Sequence, residues 1–250
     1  SMGTPESREA EHMARGKKFA AAKDYRKAAI DFRVASQNMP KDAEPLYQLG
    51  LTYLQGGAAK QAYETFGKAV ALDPKHEKSQ YQWALFRVGS NKAQDVTEAK
   101  QFLLKYLKSH PDDTEAMASI AMAEAKFGSK EAAVEMVEAA VVKNPANMRP
   151  AAVMVALFAA RGDTDMATKL AGDLVTKLPN SPDAAALKAE VSMAMHDNAE
   201  ADIQIGRALS MKRDFRPALQ LRLRRELMSG DRQKAENTTQ ELAKLPEKQT

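Results

Sequence analysis

Prolines recur along this chain at the interval of a helical hairpin. Pro40, Pro74, Pro111, Pro145, Pro179 and Pro246 are separated by 34, 37, 34, 34 and 67 residues. The last interval is two periods less one residue, and Arg213 stands where the missing proline would fall. A fixed period in this range predicts stacked helix–turn–helix units, each too small to bury its apolar face alone. Proline ends each unit because it lacks the N–H that a helix needs and clashes with the preceding turn. Such an array implies an interaction scaffold rather than an enzyme.

Composition narrows the class further. Hydrophobic residues make up 44% of the 250 and charged residues 28%, enough for a buried face and a solvated one. Aromatics are only 6%, too few for a base-stacking platform. The net charge is +4, with acids and bases interleaved rather than gathered on one stripe, so nucleic acid is an unlikely partner. The absence of cysteine excludes disulfides and thiolate metal sites and leaves the compartment open. No apolar run approaches the roughly 18 to 20 residues that span a bilayer. Ser1-Met2-Gly3 reads as a cloning remnant, and residues 1–8 are expected to be a flexible segment. A removed signal peptide or lipid anchor would leave no trace here.

The second unit spells the pattern most fully: Leu46, Leu49, Gly50, Tyr53, Ala62, Phe66, Ala69 and Pro74. Leu46, Leu49, Gly50 and Tyr53 recur at three and four residues, on one face of a first helix. Gly50 and Ala62 are expected to be small because the two helices cross there. In this order and spacing the chain resembles the tetratricopeptide repeat (TPR) family. The first unit carries Gly16, Phe19, Ala28, Phe32, Ala35 and Pro40; the fourth and fifth carry Ile120, Ala121, Ala133, Val137 and Met154, Phe158, Ala167, Leu174. The third has three extra residues, placed at Gly89-Ser90-Asn91. The sixth and seventh are degenerate, with Arg222-Leu223 where an apolar–small pair belongs. The last is expected to cap the array, the alternative being that the array continues.

The resemblance implies an all-α, right-handed superhelical solenoid of seven repeats and fourteen helices. It would form a single domain over residues 9–246, with repeats at 9–42, 43–76, 77–113, 114–147, 148–181, 182–215 and 216–246 and a tail at 247–250.

No constellation for chemistry emerges. His12, His76, His110 and His196 are scattered, and no pair has helical metal-ligand spacing. Gly56-Gly57 falls between helices rather than at a strand-to-helix phosphate loop, and Ser90, Ser119 and Ser129 lack a nucleophile-elbow context. No catalytic residue, metal or cofactor is expected.

By the same resemblance, the free face of each first helix lines a concave groove for a peptide or helix of a partner protein. Here that face carries Tyr47, Gln48, Leu51 and Leu54, then Tyr81, Gln82 and Leu85, then Ser119 and Met122, with Ala118, Arg149, Ala152 and Ala156 beside them. Tyr47 and Tyr81 occupy equivalent positions and equally fit packing between helices. The carboxylate clamp of chaperone-binding members is not matched: Met13, Lys17, Gln48, Lys78 and Gln82 stand in its five places, and only one agrees. A basic run, Arg207, Lys212, Arg213, Arg216, Arg222, Arg224 and Arg225, offers a possible patch for an anionic partner or a solvated end face. The repeat idiom also resembles bacterial proteins of exopolysaccharide and protein-sorting systems. That likeness points to the cell envelope or periplasm, with the cytoplasm still open. Exposed solenoid ends could also support self-association.

Overall fold

A computed structural model describes residues 3–247; Ser1, Met2 and positions 248–250 of the expected tail lie outside it. Fourteen α-helices and no strand occur among the described residues, so the fold class is all-α. They are α1 (Pro5–Ala21), α2 (Tyr25–Asn38), α3 (Glu44–Gln55), α4 (Ala59–Leu72), α5 (Glu77–Arg87), α6 (Ala93–Ser109) and α7 (Thr114–Phe127). There follow α8 (Lys130–Lys143), α9 (Arg149–Ala160), α10 (Thr164–Lys177), α11 (Pro182–Ala194), α12 (Asn198–Met211), α13 (Arg216–Ser229) and α14 (Arg232–Ala243). Pro5–Arg8, expected in a flexible leader, form the first turn of α1. The Thr4 hydroxyl accepts from the Ser7 N–H at 3.1 Å, and Pro5 fits the first helical position.

The chain divides into two compact units, Ser1–Pro111 with α1–α6 and Asp112–Thr250 with α7–α14. Hairpins that pack on sequence neighbours share no single core, so such a division costs no common centre. In the first unit, Ala28, Phe32 and Leu49 form a core around the opening hairpin. In the second, one cluster runs from Ala121 to Val191 and another from Ala185 to Leu221.

Five of the seven hairpins close by the same local chemistry. Gly57, Gly162 and Gly230 sit at φ of 82°, 76° and 77°, the left-handed conformation that only glycine adopts without steric cost. The N–H of the next residue then reaches back five residues, from Ala58 to Tyr53 O at 2.8 Å and from Asp163 to Phe158 O at 2.8 Å. Lys23, one period before Gly57, and His196, one period after Gly162, hold the same conformation at φ 61° with a side chain attached. The aspartates that follow begin the second helix: Asp24, Asp197 and Asp231 accept from the N–H of Lys27, Glu200 and Lys234. The longer third turn is tied down differently, by Arg87 on Asp95 at 3.0 Å and on Glu98 at 2.8 Å, with Ser90 on Asp95 at 2.9 Å.

The two helices of a hairpin meet at a small–large contact. A Cβ on Gly16 would lie 2.7 Å from the Phe32 ring, and one on Gly50 would lie 2.5 Å from the Phe66 ring. Both rings are fully buried and cannot swing away. Spacing had suggested Ala62 as the partner of Gly50; the ring of Phe66 takes that place, with Ala62 buried one turn earlier on α4. The repeat carries the pair forward as Ala84 with Leu103, Ala121 with Val137, Val155 with Ala171 and Ala189 with Ile205, all buried. Volume is conserved across the crossing even where the small and large partners exchange helices.

Two substitutions test this account in urea melts. Gly50→Ala should lower the unfolding free energy by about 1–3 kcal/mol, through overpacking against Phe66. His196→Gly should raise it by roughly 1 kcal/mol by removing a left-handed side-chain residue. A Gly50→Ala melt identical to that of the parent would show that the crossing is looser than described.

Candidate functional site

Because the second helices and the inner stripes of the first helices supply the core, the outer stripes of the first helices are left partly exposed. In the first unit this surface is built around Glu44. Its carboxylate accepts from Gln48 Nε2 at 3.1 Å and meets His76 Nε2 at 2.9 Å. His76 also caps α5, its Nδ1 accepting from the Ser79 N–H at 3.3 Å. With Nδ1 as acceptor, a neutral His76 carries its proton on Nε2 and donates it to Glu44. Histidine spacing gave no sign of this bridge between two hairpins.

Tyr47 packs among these groups, its ring centroid 6.2 Å from Phe66 and 5.6 Å from His76, with Lys78 Nζ 5.7 Å above it. Burial pushes its hydroxyl above the ordinary tyrosine pKa, with Glu44 adding to the effect. Tyr81 stacks on Tyr106 of α6 at 4.5 Å, and Tyr106 on His110 at 4.0 Å. The two tyrosines are therefore packed side chains of their hairpins as well as part of the first-helix surface. Leu51, Gln82 and Leu85 are half-buried, and Leu54 is exposed.

The second unit gathers its first helices around open cavities. One of about 370 Å³ lies between α7 and α9 and includes Ser119 and Met122 with Glu115, Ala118, Arg149 and Val153. Another of about 420 Å³ adjoins α9, α11 and α13 and includes Ala152, Asp183, Ala186, Leu187, Leu221 and Arg224. The lining follows the 34-residue register. Ala118, Ala152, Ala186 and Gln220 are one ladder; Ser119, Val153, Leu187 and Leu221 are the next. Glu115, Arg149 and Asp183 form a third rung series whose charge alternates. Burial raises the Asp183 carboxyl above the usual aspartate pKa. Val153 remains 43% exposed in its cleft. Sequence reading stopped at Ala156 because the sixth and seventh units looked degenerate. Adding the period to Ser119 would have found Leu187 and Leu221.

The basic run does not converge on one patch. Arg225 forks onto Asp202 at 2.8 and 3.1 Å, and Arg222 reaches Glu241 at 2.8 Å and Thr238 at 3.1 Å. Arg216 donates to the Pro246 carbonyl at 2.9 Å, and Arg207 to Gln204 at 3.3 Å. Lys212 lies 5.8 Å from the Phe215 ring, and Arg213 is exposed. Arg224 alone enters the first-helix cavity. Carboxylates on neighbouring helices split the run, since residues one or two apart on a helix face different ways.

Residues 7–149 match the family described as the cytochrome c-type biogenesis protein H TPR domain. A comparison with curated proteins gave no match. Among solved structures, the chain is similar to a tetratricopeptide repeat protein from Parabacteroides merdae, with TM-score 0.60 and 16% identity over 97% of this chain and 95% of that one. It is also similar to PilW, a widely conserved type IV pilus biogenesis factor, with TM-score 0.56 and 16% identity over 86% of this chain and 98% of that one. MamA from Desulfovibrio magneticus aligns with TM-score 0.54 and 18% identity over 71% of this chain and 97% of that one. These structural likenesses establish the tetratricopeptide fold.

The division of the basic run has a measurable consequence. Arg225→Gln should destabilise the protein by about 0.5–1 kcal/mol through the loss of the Asp202 fork. Arg224→Gln should leave a thermal melt unchanged. Equal effects would mean that the two arginines share one environment.

Proposed function

The chain belongs to the family of cytochrome c-type biogenesis protein H TPR domains, and from that premise we propose that it is a non-catalytic scaffold holding a peptide or helix of a partner protein against its first helices. The observation that carries this reading is the 34-residue ladder lining the two cavities of the second unit. Its alanines keep the floor low, so a ligand backbone can approach closely. Val153 and the half-buried Met122 offer apolar contact, worth about 1.5–3 kcal/mol for a large side chain fully buried, above a floor that the buried Leu187 and Leu221 keep apolar. Glu115, Arg149 and Asp183, alternating in sign from one repeat to the next, set the register and direction of a charged ligand. In the first unit, the corresponding face carries Tyr47, Gln48, Leu51, Leu54, Tyr81, Gln82 and Leu85, which would offer contact of their own.

The setting we propose is the assembly of bacterial cell-envelope machinery. Two observations support it: the family's own description, and the likeness to a pilus biogenesis factor. No described helix is long and apolar enough to cross a membrane. Contact with an anionic partner at the basic repeats would fall to Lys212, Arg213 and Arg224, since Arg222 and Arg225 already hold carboxylates.

A pull-down from the source organism tests the groove, with the parent and an Ala152→Arg/Val153→Glu variant as baits. Both positions are exposed, so the variant blocks the cleft without touching the core. Tyr47→Ala/Tyr81→Ala is a weaker probe because both rings pack within hairpins. A partner held by the parent and lost by the blocked variant is the expected result. Retention by both would move the site elsewhere.

A further inference from the structure

Beyond the first-helix surface, the first unit has a second opening on a different face. A cavity of about 450 Å³ lies between α2 and the α3–α4 hairpin, bounded by Tyr25, Arg26, Ile30, Arg33, Tyr53 and Gln61. Arg26, Ile30 and Arg33 recur at four and three residues, so one stripe of α2 supplies them. The stripe of Ala28, Phe32 and Ala35 is buried in the core. Tyr53 stands about 200° around α3 from Leu51, since each residue turns a helix by about 100°. The cavity thus faces away from the surface that Leu51 shares.

Its electrostatics are one-sided. Arg33 Nη2 donates to the Tyr53 hydroxyl at 2.7 Å, which fixes the guanidinium and leaves its charge unmatched. Other arginines of the same unit are neutralised: Arg15 lies 2.7 Å from Asp31, and Arg87 lies 3.0 Å from Asp95. No acidic side chain lines the cavity, and the first turn of α4, whose N-cap Ala58 has no side chain to accept its N–H groups, opens onto it. The apolar part is equally unfinished. Ile30 is 51% exposed, the most exposed large hydrophobic side chain among the described residues of its unit, and Tyr25 and Tyr53 line the same cavity.

We propose that this cavity is a second protein-binding site, which takes a segment of a partner carrying an acidic residue beside a large apolar one. The carboxylate would sit between Arg26 and Arg33 in a charge-assisted, forked contact. The apolar neighbour would cover Ile30 between Tyr25 and Tyr53. A bare inorganic anion would satisfy the arginines yet leave Ile30 in water, so the shape and charge together favour a peptide. With two separate faces, one chain could hold two segments at once.

The test uses fluorescence anisotropy with a fluorescein-labelled decapeptide in which glutamate alternates with leucine, and the same peptide with glutamine for glutamate. The parent should bind the glutamate peptide, and Arg26→Gln/Arg33→Gln should weaken binding by roughly tenfold or more, as the loss of a charge-assisted pair predicts. Ile30→Ser should weaken it as well. Ala152→Arg, in the first-helix cleft of the other unit, should not. Both arginines are exposed, and Tyr53→Phe frees Arg33 while keeping the ring, so circular dichroism separates misfolding from lost binding. Equal binding of the glutamine peptide, or unchanged binding by the double variant, would overturn the proposal. So would loss of binding in Ala152→Arg alone, or displacement by inorganic phosphate that is indifferent to Ile30→Ser.

Discussion

The pairing of a small residue on one helix of a hairpin with a large one on the other is the constraint from which the rest of the structure follows. At Gly16 and Gly50 the approach is so close that a methyl group would enter the rings of Phe32 and Phe66. In later hairpins the same station holds Ala84 and Leu103, Ala121 and Val137, then Val155 and Ala171 with sizes reversed. What is preserved is the filled volume at the crossing, because a close-packed interior tolerates exchange between partners better than a void or an excess.

That arrangement underlies the proposed binding surface. Each hairpin buries one stripe of its second helix and the inner stripe of its first, and the outer stripe of the first helix is only partly covered. Stacking then repeats that stripe at the period of the sequence, so alanines, branched apolar residues and alternating charges fall into ladders along the second unit. The charges elsewhere are largely internalised. Arg15, Arg87, Arg222 and Arg225 each hold a carboxylate, whereas Arg149 and Arg224 line the clefts and Arg26 and Arg33 line the α2 cavity.

Much of the fold was legible because its determinants are local. Proline spacing marked the ends of the units, and apolar residues three and four apart, such as Leu46, Leu49, Gly50 and Tyr53, marked the inner face of a first helix. Contacts that depend on three dimensions were less so. Spacing alone set Gly50 against Ala62, when the decisive neighbour is the Phe66 ring. The basic run looked continuous in the chain, but helical rotation points Arg222 and Arg225 at α14 and α12 and Arg224 into a cleft. His76 has no spacing that marks it out in the chain, yet it bridges Glu44 and the start of α5. Degeneracy of the last two units concealed that Leu187 and Leu221 keep the register of Ser119. There the ladder leucines are themselves buried, so the register passes from an exposed stripe in the fifth unit to a packed one.

Methionine methyl resonances offer the most direct view of the central claim, that a partner is held along the first helices. The chain has 13 methionines; Met122, Met148 and Met154 border the clefts, while Met195, Met211 and Met228 are exposed away from them. In a titration of methyl-labelled protein with its captured partner, the first three resonances should shift and the last three should stay in place. Shifts confined to Met195, Met211 and Met228 would contradict the account.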